Sequence, residues 1–91
     1  MPGPYRLYGA DLSPYSIKVR NYLRFKGIAH TWIPRSAARQ AEFARFARLP
    51  LIPVLVGSDD FALQDSTPII ERLETQNPEP TIRPEDEAAL F

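Results

Sequence analysis

The sequence predicts a single α/β domain with one mixed four-stranded sheet and helices on both faces of that sheet. Two observations predict this class. The length of 91 residues is that of one domain. The apolar and turn residues follow the order strand, helix, strand, helix, strand, strand, helix. The first three elements require a parallel strand pair with a right-handed crossover, and the closing hairpin adds antiparallel strands to the same sheet.

The first strand and the first helix are marked by residues at their ends. Residues 5–8 (YRLY) form a short alternating run between Pro and Gly residues, which predicts a strand. Ser13 and Pro14 are typical of an N-cap followed by the first helical residue. Apolar residues then recur at helical spacing until Gly27, where the helix is expected to end.

The other elements are predicted from the same signals of periodicity and capping. They are a strand over residues 29–33, a helix over 36–47, a hairpin formed by the second half of 49–56 with 61–63, and a helix from 65–67 to about Asn77. Ser36 is the expected N-cap of the second helix.

The last fifteen residues depart from this pattern. Residues 77–84 contain three prolines, which predicts a surface linker. The pattern of residues 84–91 predicts the start of a further helix. A helix that short is unstable alone, so we expect the sequence to stop inside a second, helical domain; the alternative is a frayed natural terminus. The predicted domains are therefore 1–76 and, as linker and severed helix, 77–91.

Composition excludes several classes of function. A chain without cysteine has no disulfide, no thiolate nucleophile and no thiolate metal site, and with one histidine we expect no metal centre. There is no long apolar run and no signal peptide pattern, so we expect a cytoplasmic protein without a membrane segment. The net charge of zero removes the simplest electrostatic case for binding nucleic acid.

The charges are nevertheless unevenly distributed. Residues 1–48 hold nine basic and two acidic residues, and residues 49–91 hold two basic and nine acidic residues. This asymmetry suits a small anionic ligand held by the first half of the chain. The alternative is a solvated basic helix face and an acidic tail.

Residues at the ends of three elements are candidates for ligand binding. Ser13 places a hydroxyl at a helix N-terminus, where an anion or thiolate is stabilised, although it can be a cap alone. Pro53 opens a buried strand, which suggests a cis bond after Ile52, with a trans bond as the alternative. Asp65 and Ser66 begin the third helix and can hold a carboxylate or simply cap it.

Together these features resemble the N-terminal thioredoxin-fold domain of a glutathione S-transferase. The resemblance covers residues 5–76. It rests on the segments SPYS (13–16), KVR (18–20), KGI (26–28), IPVL (52–55) and QDSTPIIERLE (64–74) in that order. It implies the sheet order 2-1-3-4 with the third strand antiparallel. The tail, TIRPEDEAALF, resembles the family's linker and the start of its helical second domain.

The resemblance also implies roles for individual residues. Ile52, before cis-Pro53, would pair its backbone with the cysteinyl part of glutathione. Ser66 and Asp65 would bind the γ-glutamyl end, assisted by Gln64.

Ser13 would face the sulfur of glutathione, the co-substrate, and stabilise its thiolate for attack on a small hydrophobic electrophile. Tyr5 and Tyr8 are rivals for this role, because other classes of the family use a tyrosine from this region. The family also implies a homodimer and a fragment that has little activity alone. Glutathione-dependent isomerisation, β-ether cleavage, and binding without turnover remain alternative functions.

Two departures from the family pattern bear on these expectations. Pro50 and Leu51 stand where many members have Gly and then Lys or Gln, so a polar contact to the glycyl end of glutathione is missing. Arg39, Arg45 and Arg48 could approach that end instead, or form a solvated helix face. SPYS also matches the glutaredoxin active-site pattern with oxygen in place of both sulfur atoms, which excludes thiol-disulfide exchange.

Overall fold

A computed structural model describes residues 1–49 and 51–80. The predicted helix over 84–91 lies outside the described residues, as does Pro50. The described elements are β1 (Tyr5–Gly9), α1 (Pro14–Lys26), β2 (His30–Pro34), a 3₁₀ helix (Ala37–Arg39), α2 (Gln40–Phe46), β3 (Val54–Val56), β4 (Ala62–Gln64) and α3 (Ser66–Gln76).

The four strands form one mixed sheet in the order β2-β1-β3-β4. β1 pairs with β2 in parallel, and β3 is antiparallel to both β1 and β4. β3 is buried along its whole length, because it lies in the interior of the sheet and is covered on both faces. The predicted sheet order and strand directions are confirmed.

Helices cover both faces of the sheet, as predicted. Alternate residues of β1 point to opposite faces: Leu7 packs with α1 and α3, and Tyr8 packs with α2. The larger core consists of Tyr5, Leu7, Val19, Tyr22, Leu23, Leu55, Ile69 and Leu73. The smaller core consists of Tyr8, Ile33, Phe43, Val54 and Val56.

The ends of α1 are fixed by the residues that predicted them. The Ser13 side chain accepts a hydrogen bond from the backbone N–H of Ser16 at 3.2 Å, as an N-cap does. Gly27 ends the helix at a φ of 67°, a left-handed conformation that glycine adopts without a steric penalty. The sequence therefore determined both boundaries of this helix.

The start of α1 is packed directly against the end of β1. A Cβ atom on Gly9 would lie 2.7 Å from Cη2 of Trp32 and 2.8 Å from Cβ of Ser16, too close for any side chain. Gly9 thus allows the helix N-terminus to approach the strand end. This contact positions the first turn of α1 relative to the sheet.

The prediction for the second helix was wrong in detail. Ser36 is extended and its side chain makes no capping hydrogen bond. The chain first forms a 3₁₀ turn, in which the N–H of Arg39 donates to the carbonyl of Ser36 at 3.2 Å, and α2 begins only at Gln40. In this tighter turn the Arg39 N–H already has a backbone acceptor, so it does not need the Ser36 side chain as a cap.

Two buried tyrosines donate their hydroxyl protons to glutamates on other elements. Tyr8 donates to Glu42 and Tyr22 donates to Glu74. Burial, and then the bond to Glu42, raise the pKa of Tyr8 to about 12. Burial and Glu74 raise the pKa of Tyr22 well above its ordinary value. Both phenols must stay protonated for the folded state to keep these bonds.

We therefore expect the free energy of unfolding to fall at alkaline pH. An unfolded tyrosine has a pKa of about 10, so folding favours the protonated phenols. Their contribution is complete below about pH 10 and is lost as the pH rises toward the folded-state values. Urea unfolding at about pH 9 and about pH 11.5 measures the loss. Tyr22→Phe should reduce it, whereas the exposed Tyr15→Phe should not; equal stability at both pH values would contradict the expectation.

Candidate functional site

A cavity lies where the first turn of α1, the segment before β3 and the N-terminus of α3 meet. Its volume is about 390 Å³, and it is lined by Tyr15, Leu49, Leu51, Ile52, Gln64 and Asp65. Three of the residues predicted to bind a ligand therefore line one cavity: Ile52, Gln64 and Asp65. The other predicted residues are their neighbours in sequence: Pro53, Ser66 and, two residues before Tyr15, Ser13.

Ser13 presents a partly exposed hydroxyl at the N-terminus of α1. Its oxygen accepts from the N–H of Ser16, and within residues 1–49 and 51–80 no group accepts the hydroxyl proton. The same end of the helix carries the positive end of the helix dipole. The geometry therefore offers one hydroxyl donor and a favourable potential to an anion.

The hydroxyl groups of the two tyrosines of β1 donate hydrogen bonds inside the fold. Tyr5 is buried, and its hydroxyl donates to the backbone carbonyl of Met1 at 2.6 Å. Tyr8 is buried in the smaller core and donates to Glu42, and its pKa of about 12 disfavours the phenolate. Both phenol protons are thus used inside the fold, which disfavours Tyr5 and Tyr8 as rivals of Ser13.

The bond between Ile52 and Pro53 is cis, as predicted. Pro53 is buried, and its carbonyl accepts a hydrogen bond from the N–H of Asp65 at 3.0 Å. This bond brings the segment before β3 next to the start of α3. Among the described residues, none hydrogen-bonds to the backbone of Ile52, so its N–H and carbonyl can pair with a peptide-like ligand.

Asp65 has an unusual backbone conformation for a residue with a side chain. Its φ is 80° and its ψ is 144°, and such a conformation costs about 1 to 3 kcal/mol, a strain found often at functional sites. Its carboxylate caps α3 by accepting from the N–H of Ser66 at 2.7 Å. Asp65 is exposed and Ser66 is buried. Capping is therefore one role of Asp65, and the residue also lines the cavity.

The side chain of Gln64 holds the segment before β3 in place. Its Nε2 donates to the carbonyls of Leu49 and Leu51 at 2.7 and 2.6 Å, and its Oε1 accepts from the N–H of Leu49 at 3.2 Å. Both amide donors are therefore already used. Gln64 was expected to assist in binding the γ-glutamyl end; it lines the cavity, and its contacts also position the cavity wall.

Two of the three arginines in the α2 region are paired with acids, and the third lines another cavity. Arg39 forms an ion pair with Glu42 at 3.1 Å, and Arg45 pairs with Asp60 at 3.4 Å. Arg48 lines a different cavity, of about 400 Å³, beside β4. No Lys or Arg among the described residues lines the cavity that contains Ile52 and Asp65.

Residues 1–49 and 51–80 contain no cluster of three or more His, Cys, Asp or Glu side chains that could hold a metal ion. They also contain no helix that is long and apolar enough to cross a membrane.

Residues 7–81 match the family model for the N-terminal domain of glutathione S-transferases. The match covers most of the chain, so the chain belongs to the glutathione S-transferase family and is a thioredoxin-like N-terminal domain. The resemblance found in the sequence is confirmed. No curated protein sequence matches the chain.

Solved structures of this family have the same fold. A glutathione S-transferase from Methylobacterium radiotolerans, in complex with glutathione sulfonate, superposes with a TM-score of 0.75 at 30% identity over 93% of this chain and 42% of its own. One from Rhodospirillum rubrum has a TM-score of 0.74 and 34% identity over 84% of this chain and 35% of its own.

A third solved structure is similar in fold alone. Glutaredoxin 2 from Salmonella typhimurium, in complex with glutathione, has a TM-score of 0.75 and 20% identity over 91% of this chain and 38% of its own. The chain thus spans between 35% and 42% of the length of these three proteins.

Proposed function

We propose that this domain binds glutathione in the cavity before β3 and that the complete protein transfers the glutathione thiolate to a small hydrophobic electrophile. One observation carries the proposal: three separate segments, holding Tyr15, Ile52 and Asp65, converge on the same cavity. Glutathione S-transferase family membership supports the ligand, as do the similar structures with glutathione sulfonate and glutathione.

Each segment is assigned to one part of glutathione in this proposal. The backbone of Ile52 pairs with the cysteinyl residue, because its N–H and carbonyl have no partner among the described residues. Asp65 and Ser66, at the N-terminus of α3, bind the ammonium and carboxylate of the γ-glutamyl end. This arrangement brings the cysteinyl sulfur toward the N-terminus of α1.

Ser13 then stabilises the thiolate. Its hydroxyl donates a hydrogen bond to the sulfur, and the helix dipole of α1 adds a favourable potential. Both effects favour the charged form and lower the pKa of the thiol, so that more nucleophile exists at neutral pH. The thiolate attacks the electrophile, forms a carbon–sulfur bond and displaces the leaving group with its electron pair.

The features of the whole protein are part of the proposal. A helical second domain follows residue 76, completes the electrophile pocket and packs on this domain, and the protein is a cytoplasmic homodimer. Residues 1–91 alone then have little activity. Isomerisation and β-ether cleavage use the same activated thiolate and remain alternatives for the chemical step.

A second candidate is a protein that binds glutathione without turning it over. One observation favours it: among the described residues, no cation lines the cavity to hold a second carboxylate of the ligand. Glutathione would then be bound more weakly than a transferase needs. The two candidates differ in turnover and share the ligand.

Retention on immobilised glutathione, followed by conjugation to a generic aryl halide, separates these functions. We expect the complete protein to be retained and to form the conjugate. Ser66→Ala should weaken retention, whereas Ser58→Ala, in the exposed β3–β4 turn, should not. Retention without conjugation would favour the binding protein, and failure to bind any glutathione derivative would contradict both.

A further inference from the structure

We infer that Tyr15 is a second catalytic hydroxyl, which donates a hydrogen bond to the sulfur of the bound thiol beside Ser13. The inference rests on the proposed function, because that function brings the cysteinyl sulfur toward the N-terminus of α1. Tyr15 begins this helix with Pro14 and lies on a different element from the two tyrosines of β1.

The hydroxyl of Tyr15 is available to a ligand. Three of the four tyrosines in the chain donate their hydroxyl protons inside the fold, namely Tyr5, Tyr8 and Tyr22. No group in residues 1–49 and 51–80 accepts the proton of the fourth, Tyr15. Tyr15 is also 59% exposed, so a bound molecule can reach its phenol without displacing another side chain.

Tyr15 lies on the cavity itself. It lines the cavity together with Ile52 and Asp65, the residues assigned to the cysteinyl and γ-glutamyl parts of the ligand. A sulfur that points from Ile52 toward α1 therefore approaches the side chain of Tyr15. The phenol ring also carries its hydroxyl farther from the helix than a serine side chain does.

The charge of the cavity favours a second neutral donor. Among the described residues, no Lys or Arg lines this cavity, and Asp65 adds a negative charge to it. The dipole of α1 favours an anion at the N-terminus, and a hydrogen bond to an ionised acceptor is about twice as strong as one between neutral groups. A second hydroxyl at the sulfur thus offsets part of the missing positive charge.

Tyr15 keeps its proton throughout the reaction. Its hydroxyl donates to the thiolate, stabilises the charged form and so lowers the pKa of the bound thiol. As the carbon–sulfur bond forms, the negative charge leaves with the departing group and the hydrogen bond weakens. The step therefore needs no acid or base beyond those of the proposed function.

The test measures the thiol pKa of glutathione bound to the complete protein. Glutathione that is isotope-labelled at the cysteinyl β-carbon reports thiol ionisation by NMR and requires no turnover. We expect Tyr15→Phe to raise this pKa by about one unit, which corresponds to about tenfold less thiolate at neutral pH. Tyr22→Phe makes the same chemical change on the same helix, in the larger core, and should leave the thiol pKa unchanged.

Two further measurements separate the sulfur contact from packing of the ring. S-methylglutathione cannot ionise, so its Kd should change little in Tyr15→Phe, which retains the ring. The double variant Ser13→Ala with Tyr15→Phe should raise the thiol pKa of glutathione more than either substitution alone, because each hydroxyl makes its own hydrogen bond.

The outcomes distinguish this inference from the proposed function. A thiol pKa that Tyr15→Phe raises no more than Tyr22→Phe, or a double variant no different from Ser13→Ala, would overturn the inference and leave the proposed function standing. Equal losses of affinity for glutathione and S-methylglutathione in Tyr15→Phe would overturn it as well, because the residue would then act by packing. Failure of the wild-type protein to bind either peptide would overturn the proposed function and the inference with it.

Discussion

Replacing Ser13 by alanine is expected to lower the kcat/KM of conjugation by about ten- to a hundredfold, because one hydrogen bond to a charged group contributes about 1.5 to 3 kcal/mol. The loss should appear in the chemical step, and the affinity for the thiol peptide should change little. The cap of α1 is lost as well, which costs about 1 kcal/mol of stability.

The pH dependence of the rate distinguishes the thiolate contact from the cap. Without the hydroxyl, the pKa of the bound thiol rises, and half-maximal activity should move to higher pH. Ser13→Cys is not an equivalent control, because it introduces a second nucleophile; the exposed Ser58→Ala is the matched one and should leave the profile unchanged. If Ser13→Ala has the wild-type profile, the Ser13 hydroxyl does not face the sulfur.

Truncation of the buried Leu55 is expected to have the largest effect on stability. Leu55 is 0% exposed, lies in the middle of β3 and packs in the larger core. Leu55→Ala should lower the free energy of unfolding by about 2 to 5 kcal/mol, the sum of lost transfer free energy and the cavity left behind. Single domains have only about 5 to 15 kcal/mol in total.

Urea unfolding measures this loss against Leu12→Ala. Leu12 is 96% exposed, so its truncation should change the free energy of unfolding by no more than about 0.5 kcal/mol. A similar small change for both variants would contradict the core described here. The comparison is independent of any ligand and tests the fold alone.

Those features of the fold that depend on residues close in sequence could be predicted. Ser13 and Gly27 mark the ends of α1 because capping depends on residues close in sequence. A proline that opens a buried strand left both a cis and a trans bond open at Pro53, and the cis bond was predicted from the resemblance to a family. Sheet order came from the resemblance to a family, since the alternation of strands and helices fixes only the parallel and antiparallel pairs.

Two of the contacts that the sequence did not predict join distant positions. The hydrogen bonds from the Gln64 amide to Leu49 and Leu51 were not predicted, because no periodicity indicates which backbone a side chain reaches. The bond from Tyr8 to Glu42 joins a strand to a helix 34 residues later. Ser36 was expected to be a cap, but the 3₁₀ turn that follows it competes with capping for the same backbone groups.

Ser16 is buried in the first turn of α1, and its hydroxyl oxygen has no hydrogen-bond partner among the described residues. A buried polar group left unpaired costs about 1 to 3 kcal/mol, whereas the weakly polar thiol of cysteine behaves as a small apolar group. Stability alone would therefore favour cysteine over serine at this position. This end of α1 therefore carries the hydroxyls of Ser13 and Ser16 and no thiol that peroxide, which oxidises thiols stepwise and in part irreversibly, could attack.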